Sequence, residues 1–345
     1  MGLEPTLPEG NRILSPSRFV YRCSYCLKIG LSKPDNPIQG CSLFAVVSGE
    51  LGCSSSNLCG DVFECDNSEN AEHEHHLREL TMDLSLKGKI AIVTGGSAGI
   101  GRGISDALVD EGCHVCICSR HEGEVQQAAK ELEDRSADDV RTLGVVADLT
   151  NEADRQKLVD ETVRTFSAVD ILVNNAGTLS AGETLEDWRS LFELNLFAVV
   201  DLVDRVVPYM QEKGWGRIIN ISSENGEQPY PDMIPYSATK GALNNFSKGL
   251  SKRHAEDGIL VNTVSPAFIE TPLVEGMMEE TAEEQGITKE EAVQQFLENN
   301  RPNIELKRPG RIDEVGALVA FLASEKASFV NGANYRIDGG SVASV

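Results

Sequence analysis

Long apolar runs are missing from this 345-residue chain. Stretches such as residues 43–47, 90–93 and 259–261 fall far short of the roughly 20 residues a membrane helix requires, which excludes a spanning helix. Basic residues are scarce too, with 31 Lys and Arg against 54 Asp and Glu and a formal charge of −23. Such a surface repels phosphate backbones and anionic headgroups, so neither nucleic acid nor a membrane surface is expected as a partner. The N-terminus lacks the basic start, apolar core and small-residue cleavage site of a secretory leader, so a cytoplasmic location is expected. Aromatic residues are few, at 6%, but 41% of the chain is hydrophobic and 31 residues are glycine. That is enough to bury a core and too apolar for wholesale disorder.

Six of the nine cysteines, Cys23, Cys26, Cys41, Cys53, Cys59 and Cys65, lie in the first 65 residues, in a stretch rich in Ser, Asn, Pro and Gly. Residues 1–82 hold 11 acids and 6 bases, so −5 of the charge belongs there and −18 to the remainder. Cys23-x-x-Cys26, Cys59, Cys65 and the cluster His73, His75 and His76 supply donors of the kind that hold zinc, yet their spacing has no regular repeat. The segment reads as an irregular, poorly ordered extension, or as sequence upstream of a working start at Met82. No function is inferred from it, no metal is expected in the remainder, and the domain boundary falls near Met82.

Beyond Met82, short apolar bursts alternate with helix-length amphipathic stretches. Strands are expected at residues 90–93, 114–118, 143–147, 171–173, 218–221 and 259–264, with a last one near 336–338. Helices are expected through Ile100, Ile104 and Leu108, then over residues 122–135, 153–166, 188–210 and 236–255. Strands without polar alternation are buried on both faces, which implies a parallel sheet covered by helices. The fold class is α/β: one Rossmann-like, doubly wound sheet of about seven strands.

Directly after the first strand comes Thr94-Gly95-Gly96-Ser97-Ala98-Gly99-Ile100-Gly101, with a helix beginning inside it. Glycines permit a tight turn and close backbone approach, and the helix N-terminus offers unpaired N–H groups to a pyrophosphate. With this turn, Asn174-Asn175-Ala176-Gly177, Asn195, Ser223, Tyr236-x-x-x-Lys240 and Asp338-Gly339-Gly340, the sequence resembles the classical short-chain dehydrogenase/reductase family over residues 84–345.

Tyr236 and Lys240 lie four apart on one face of an expected helix. A free tyrosine has a pKa of about 10, and an adjacent ammonium together with a cationic nicotinamide is expected to favour the phenolate. Tyr236 then exchanges a proton with a carbonyl or alcohol, and Ser223 at the end of its strand hydrogen-bonds the same oxygen. The resemblance implies that Lys240 also holds the nicotinamide ribose and that Asn195 links Lys240 to solvent through a water. It further implies that Asn175, Ala176 and Gly177 support the adenosine side of the cofactor, and that Asp148, followed by Leu149, caps the adenine amino group. His114 and His121 read as surface or core histidines, and Cys113, Cys116 and Cys118 as buried thiols.

The second strand ends in Ser119-Arg120 instead of the carboxylate that holds a ribose 2′-hydroxyl. Arg120 can pair with a 2′-phosphate, so NADP(H) is expected over NAD(H), although Ala98 puts no basic residue in the glycine turn. The expected cofactor contacts are therefore Gly95, Ser97, Ala98, Gly99, Ile100, Gly101, Ser119, Arg120, Asp148, Leu149, Asn175, Ala176, Gly177, Tyr236 and Lys240, with Pro266, Ile269 and Thr271 downstream. Ala267 replaces the glycine that usually follows that proline in the family, which puts the local backbone shape in question. Residues 273–306 are expected to form a helical lid, with Thr288 and Glu291 as a capping box. Met277 and Met278 there either touch substrate or simply pack. The expected function is hydride transfer between NADP(H) and a small carbonyl or secondary alcohol, by a homotetramer. A 3-oxoacyl carrier-protein reductase and a non-catalytic dinucleotide sensor are the alternatives. Gly214 and Asp257, where such reductases often place basic residues, count against the first, and the intact Asn195, Ser223, Tyr236 and Lys240 set against the second.

Overall fold

The computed structural model describes residues 83–136, 139–179, 182 and 184–344. The N-terminal cysteines, the histidine cluster and the boundary at Met82 lie outside them.

Seven strands make one parallel sheet: β1 Ile90–Thr94, β2 His114–Ser119, β3 Thr142–Val146, β4 Ile171–Asn174, β5 Gly216–Ile221, β6 Ile259–Pro266 and β9 Asn334–Ile337, in the order β3-β2-β1-β4-β5-β6-β9. All five residues of β1 are buried. Because side chains alternate across a strand, Ala91 and Val93 enter one apolar cluster and Ile90 and Ile92 another. The first is completed by Ile104 and Leu108 of α1 (Gly99–Asp110), Val125 and Leu132 of α2 (Glu122–Arg135), and Val315 and Val319 of α9 (Ile312–Ala323). The second takes Leu158 of α3 (Glu152–Phe166), Leu202, Val206 and Met210 of α5 (Ala198–Lys213), and Leu243 and Leu250 of α6 (Ile234–Arg253). Each such side chain, fully buried, contributes roughly 1.5–3 kcal/mol. Both faces are thus covered, as a continuous apolar strand requires.

β1 pairs with β2 on one side and β4 on the other. The strand order therefore reverses between β1 and β4, and the crevice at the carboxyl ends of these strands is where doubly wound sheets bind ligands. Among the described residues no helix is long and apolar enough to cross a membrane.

Three local features differ from expectation. The stretch read as one helix over residues 188–210 is α4 (Leu185–Phe192), a π-helical turn over Glu193–Phe197, and α5. Two further strands of two residues each, β7 (Ile269–Glu270) and β8 (Gly310–Arg311), pair beside the sheet. The 273–306 segment folds as α7 (Pro272–Gln285) and α8 (Lys289–Asn300). There the expected capping box is present: the Thr288 hydroxyl accepts Glu291 N–H at 3.2 Å and the Glu291 carboxylate accepts Thr288 N–H at 2.8 Å.

Candidate active site

The glycine turn is braced from β4. Thr94 Oγ1 accepts the N–H groups of Asn175 and Ala176, both at 2.9 Å, while Asn175 Nδ2 donates to the carbonyls of Thr94 at 2.9 Å and Gly95 at 3.3 Å. Gly95 has φ +63°, and a Cβ on Gly101 would stand 2.1 Å from the Gly95 carbonyl oxygen, so the turn closes only with glycine at both places. Side chains cap α3, α4, α7 and α8 through Asn151, Thr184, Thr271 and Thr288. Helix α1 has Ala98 at its N-cap, no side-chain cap and no acid in its first turn. Its first N–H groups are left for an anion.

Beside this turn lies a cavity of about 430 Å³, within the range of small-molecule and cofactor sites. It brings together nine of the expected cofactor residues: Gly95, Ser97, Ser119, Arg120, Asp148, Leu149, Asn175, Ala176 and Gly177. His121, Thr150, Thr178, Ser190 and Leu194 also line it, as do Cys118 and Ala147. Asp148 Oδ1 accepts Thr150 N–H at 3.0 Å and the Thr150 hydroxyl at 2.7 Å. These bonds, the N–H first, hold the carboxyl below the usual carboxylate range, with the Arg120 charge adding to them. Arg120 is exposed, and among the described residues no hydrogen bond or ion pair engages its guanidinium. Open N–H donors, a cavity and an unpaired guanidinium fit a phosphorylated dinucleotide.

The other end of the crevice is built from β5, α6 and the π turn. Ser223 follows β5 and caps the 3₁₀ turn Glu224–Gly226, its Oγ accepting Asn225 N–H at 3.2 Å. Pro235 stands in the first turn of α6, just before Tyr236. Lys240, one turn on, is 5% exposed. Its Nζ donates to the Ile221 carbonyl at 2.9 Å and lies 5.6 Å from the centre of the Tyr236 ring. Asn195, 1% exposed, sits on the π turn; its Oδ1 accepts Thr178 N–H at 2.9 Å and its Nδ2 donates to Thr239 Oγ1 at 3.2 Å. A Cβ on Gly177 would stand 3.2 Å from Asn195 Oδ1 and 3.7 Å from Lys240 Nζ. The loop after β4, the π turn and α6 thus converge.

The expected acidification of Tyr236 by Lys240 is not met by the protein's own groups. Burial pushes the phenol up to about 12, the Ser223 hydroxyl opposing this and the Glu224 charge adding to it. The same burial pushes Lys240 down to about 8. Burial thus disfavours the charged form of both groups.

The family profile described as short chain dehydrogenase matches residues 89–282. The chain belongs to the short-chain dehydrogenase family. It is accordingly an oxidoreductase acting on alcohol or carbonyl groups. It is 37% identical over 268 residues to the uncharacterised oxidoreductase YvaG of Bacillus subtilis, covering 76% of this chain and all of that one. It is 35% identical over 267 residues to L-fucose dehydrogenase of Bos taurus, covering 76% and 92%. The crystal structure of L-sorbose reductase from Gluconobacter frateurii, complexed with NADPH and L-sorbose, superposes with a TM-score of 0.72 at 33% identity, covering 76% of this chain and all of that one.

The other expected cofactor positions, Ala98, Gly99, Ile100, Gly101, Tyr236, Lys240, Pro266, Ile269 and Thr271, do not line the cavity beside the glycine turn. Gly99 adjoins Thr271, whose Cγ2 would lie 3.4 Å from a Cβ on that glycine. Pro266 closes β6. Ile269 is 5% exposed and its side chain belongs to the core. Ala267 is not in the left-handed region, so alanine there imposes no strain. Met278 is buried while Met277 and Leu273 are exposed, which makes the first a packing residue. The cysteines of β2 are buried, and burial pushes Cys118 up to about 11. His114 stacks on Phe166 and accepts Arg141 N–H, as a structural histidine does. His121, read as an ordinary histidine, is exposed but stands on the cavity rim. Thr239 was also missed; its signal was its place directly before Lys240.

Proposed function

We propose that this enzyme is an NADP(H)-dependent reductase of a small ketone or aldehyde, with Asn195, Ser223, Tyr236 and Lys240 as its catalytic set. The observation that carries the reading is a half-buried phenol, one helical turn from a buried amine and beside Ser223, at the carboxyl edge of a sheet whose neighbouring cavity carries Arg120, unpaired among the described residues. When bound, the nicotinamide supplies the hydride to the carbonyl carbon. Ser223 donates a hydrogen bond to the carbonyl oxygen, and as negative charge develops there, Tyr236 gives it its proton. A phenol held near 12 is fully protonated at neutral pH, which suits donation to an alkoxide better than abstraction from an alcohol. Lys240 holds the ribose hydroxyls and, with Asn195 at the π turn, carries the replacement proton from solvent.

Arg120 supports NADP(H) over NAD(H) because no carboxylate competes for a 2′-phosphate at the end of β2. The NADPH-bound L-sorbose reductase supports the same preference. Residues 83–345 form the catalytic domain. A homotetramer is supported by Phe197 beside α5, 52% exposed, and by the fully exposed Phe329 close to the edge strand β9. NADPH consumption with a panel of ketones, β-ketoesters and sugars tests the reading. Turnover is expected in the wild type and not in Tyr236→Phe; NADPH binding without turnover in both would make the chain a sensor instead.

A further inference from the structure

Next to Ser223 stands a carboxyl to which the chemistry above gives no task. Glu224 is 2% exposed. Its Oε1 accepts the Tyr230 hydroxyl at 3.1 Å and lies 4.0 Å from Arg301 Nε. Arg301 is the residue that ends α8. Its guanidinium covers the Tyr230 ring at 4.2 Å and stands 5.6 Å from the Phe296 ring, which stacks at 4.6 Å on Phe268, between Pro266 and Ile269. Arg301 also reaches Met233 Sδ at 3.7 Å, which takes a second such contact from Asn225 Nδ2 at 3.7 Å. Asn225 is the residue whose N–H holds Ser223 Oγ. The Glu224 carbonyl closes the same loop by accepting the N–H groups of Glu227 and Gln228 at 2.9 and 2.8 Å.

Tyr230 and Arg301, with Tyr236 and Asp338, are the titratable groups facing this carboxyl, and the Ser341 hydroxyl lies near it from the C-terminal segment, although neither Ser341 Oγ nor Glu224 Oε2 has a hydrogen-bond partner among the described residues. An apolar side chain would fill such a position at less cost than an acid taken out of water. What an acid adds is directionality: it fixes one hydroxyl and one guanidinium from two separate segments in a single arrangement.

We propose that Glu224 is a positioning residue that ties the turn carrying Ser223 to the end of α8 through Tyr230 and Arg301, so that the Ser223 hydroxyl is seated only when α8 is docked. The inference rests on the reductase reading for its catalytic meaning, but the mechanical link stands apart from it. Opening at α8 releases Arg301, and with it the Met233–Asn225 contact under Ser223. Docking restores both.

Glu224→Gln, Arg301→Ala, their double variant, Arg301→Lys and Tyr230→Phe test this. Amide hydrogen exchange on the full chain with NADPH present is the first readout. Glu224→Gln is expected to speed exchange at residues 297–301, and Arg301→Ala at residues 224–228. Acceleration confined to the mutated segment would overturn the link. Turnover is the second readout. Each single variant is expected to lose about 10- to 100-fold in kcat, with carbonyl KM and NADPH affinity nearly unchanged. The double variant should be no worse than the poorer single one, and Arg301→Lys should recover most of the loss. Multiplicative losses, or a change in KM alone, would contradict the positioning role. If a larger change unfolds the protein, Tyr230→Phe, which keeps the ring under Arg301, carries the same expectation at smaller size. A wild type that turns over no carbonyl would sink the reductase reading while the exchange experiment still decides the link.

Discussion

At the β1–β2–β3 end of the crevice the charged side chains meet water. Arg120 is exposed and unpaired, and Asp148 is held below the usual carboxylate range by Thr150. At the β5–α6 end the ionisable groups are taken out of water and pushed toward neutrality: Lys240 falls to about 8, Tyr236 climbs to about 12, and Glu224 is raised by burial. The same row of strand ends thus carries two electrostatic regimes. An exposed guanidinium is free to meet an anion at little desolvation cost. At the other end desolvation, more than any neighbouring ion, sets the acidity of Tyr236 and Lys240.

The sharpest way to break this comparison is to remove the Tyr236 hydroxyl at the β5–α6 end. Tyr236→Phe is expected to lower kcat by about 10²- to 10⁴-fold while NADPH affinity, measured by nucleotide fluorescence, stays close to that of the wild type. At the exposed end the effect belongs to binding. Arg120→Ala should weaken NADPH by about 10- to 100-fold, the worth of a charge-assisted contact, and leave NADH nearly untouched. Equal losses for both nucleotides would reject the 2′-phosphate role.

A third expectation concerns stability. Because the folded value of Lys240 lies below its unfolded value, the unfolded chain binds the extra proton between about 8 and the ordinary lysine value of about 10.4. Wild-type stability from this group therefore rises with pH across that window and is lowest beneath it. Lys240→Met should be more stable than the wild type at neutral pH by about 1–2 kcal/mol, after the lost hydrogen bond to Ile221 is set against relief of the buried charge. That advantage should vanish near pH 10 in denaturant unfolding, and a pH-independent difference would contradict it. The smallest effect is screening: added salt should weaken NADPH a few-fold through the exposed end while leaving kcat at the buried end unchanged.

The division between the two ends also marks what could be read in advance. Apolar bursts without polar alternation, such as 90–93 and 171–173, identified the parallel sheet, because burial on both faces leaves a mark in residue type. The glycine turn and the residues gathered at the cavity were legible for the same reason: the turn through Gly95 and Gly101 and the Ser119-Arg120 step depend on side chains that must be present or absent at one place. The π turn at Asn195 was not, since one extra residue in a helical turn leaves the apolar period of 188–210 almost intact. The pairing of β7 with β8 was missed because two residues show no periodicity. The effect of burial on Tyr236 in the nucleotide-free protein was not legible for a deeper reason. Sequence spacing displays the lysine four residues on but not the water excluded around both groups, and the excluded water dominates.

The direct test of that dominance is the ultraviolet phenolate band, titrated in the nucleotide-free protein as the difference between wild type and Tyr236→Phe. A phenol kept protonated by burial gives no such difference at or below about pH 10, the ordinary tyrosine value. A phenolate signal from Tyr236 at neutral pH would show that the neighbouring ammonium sets its acidity after all, and would contradict the assignment of Tyr236 as a burial-held proton donor.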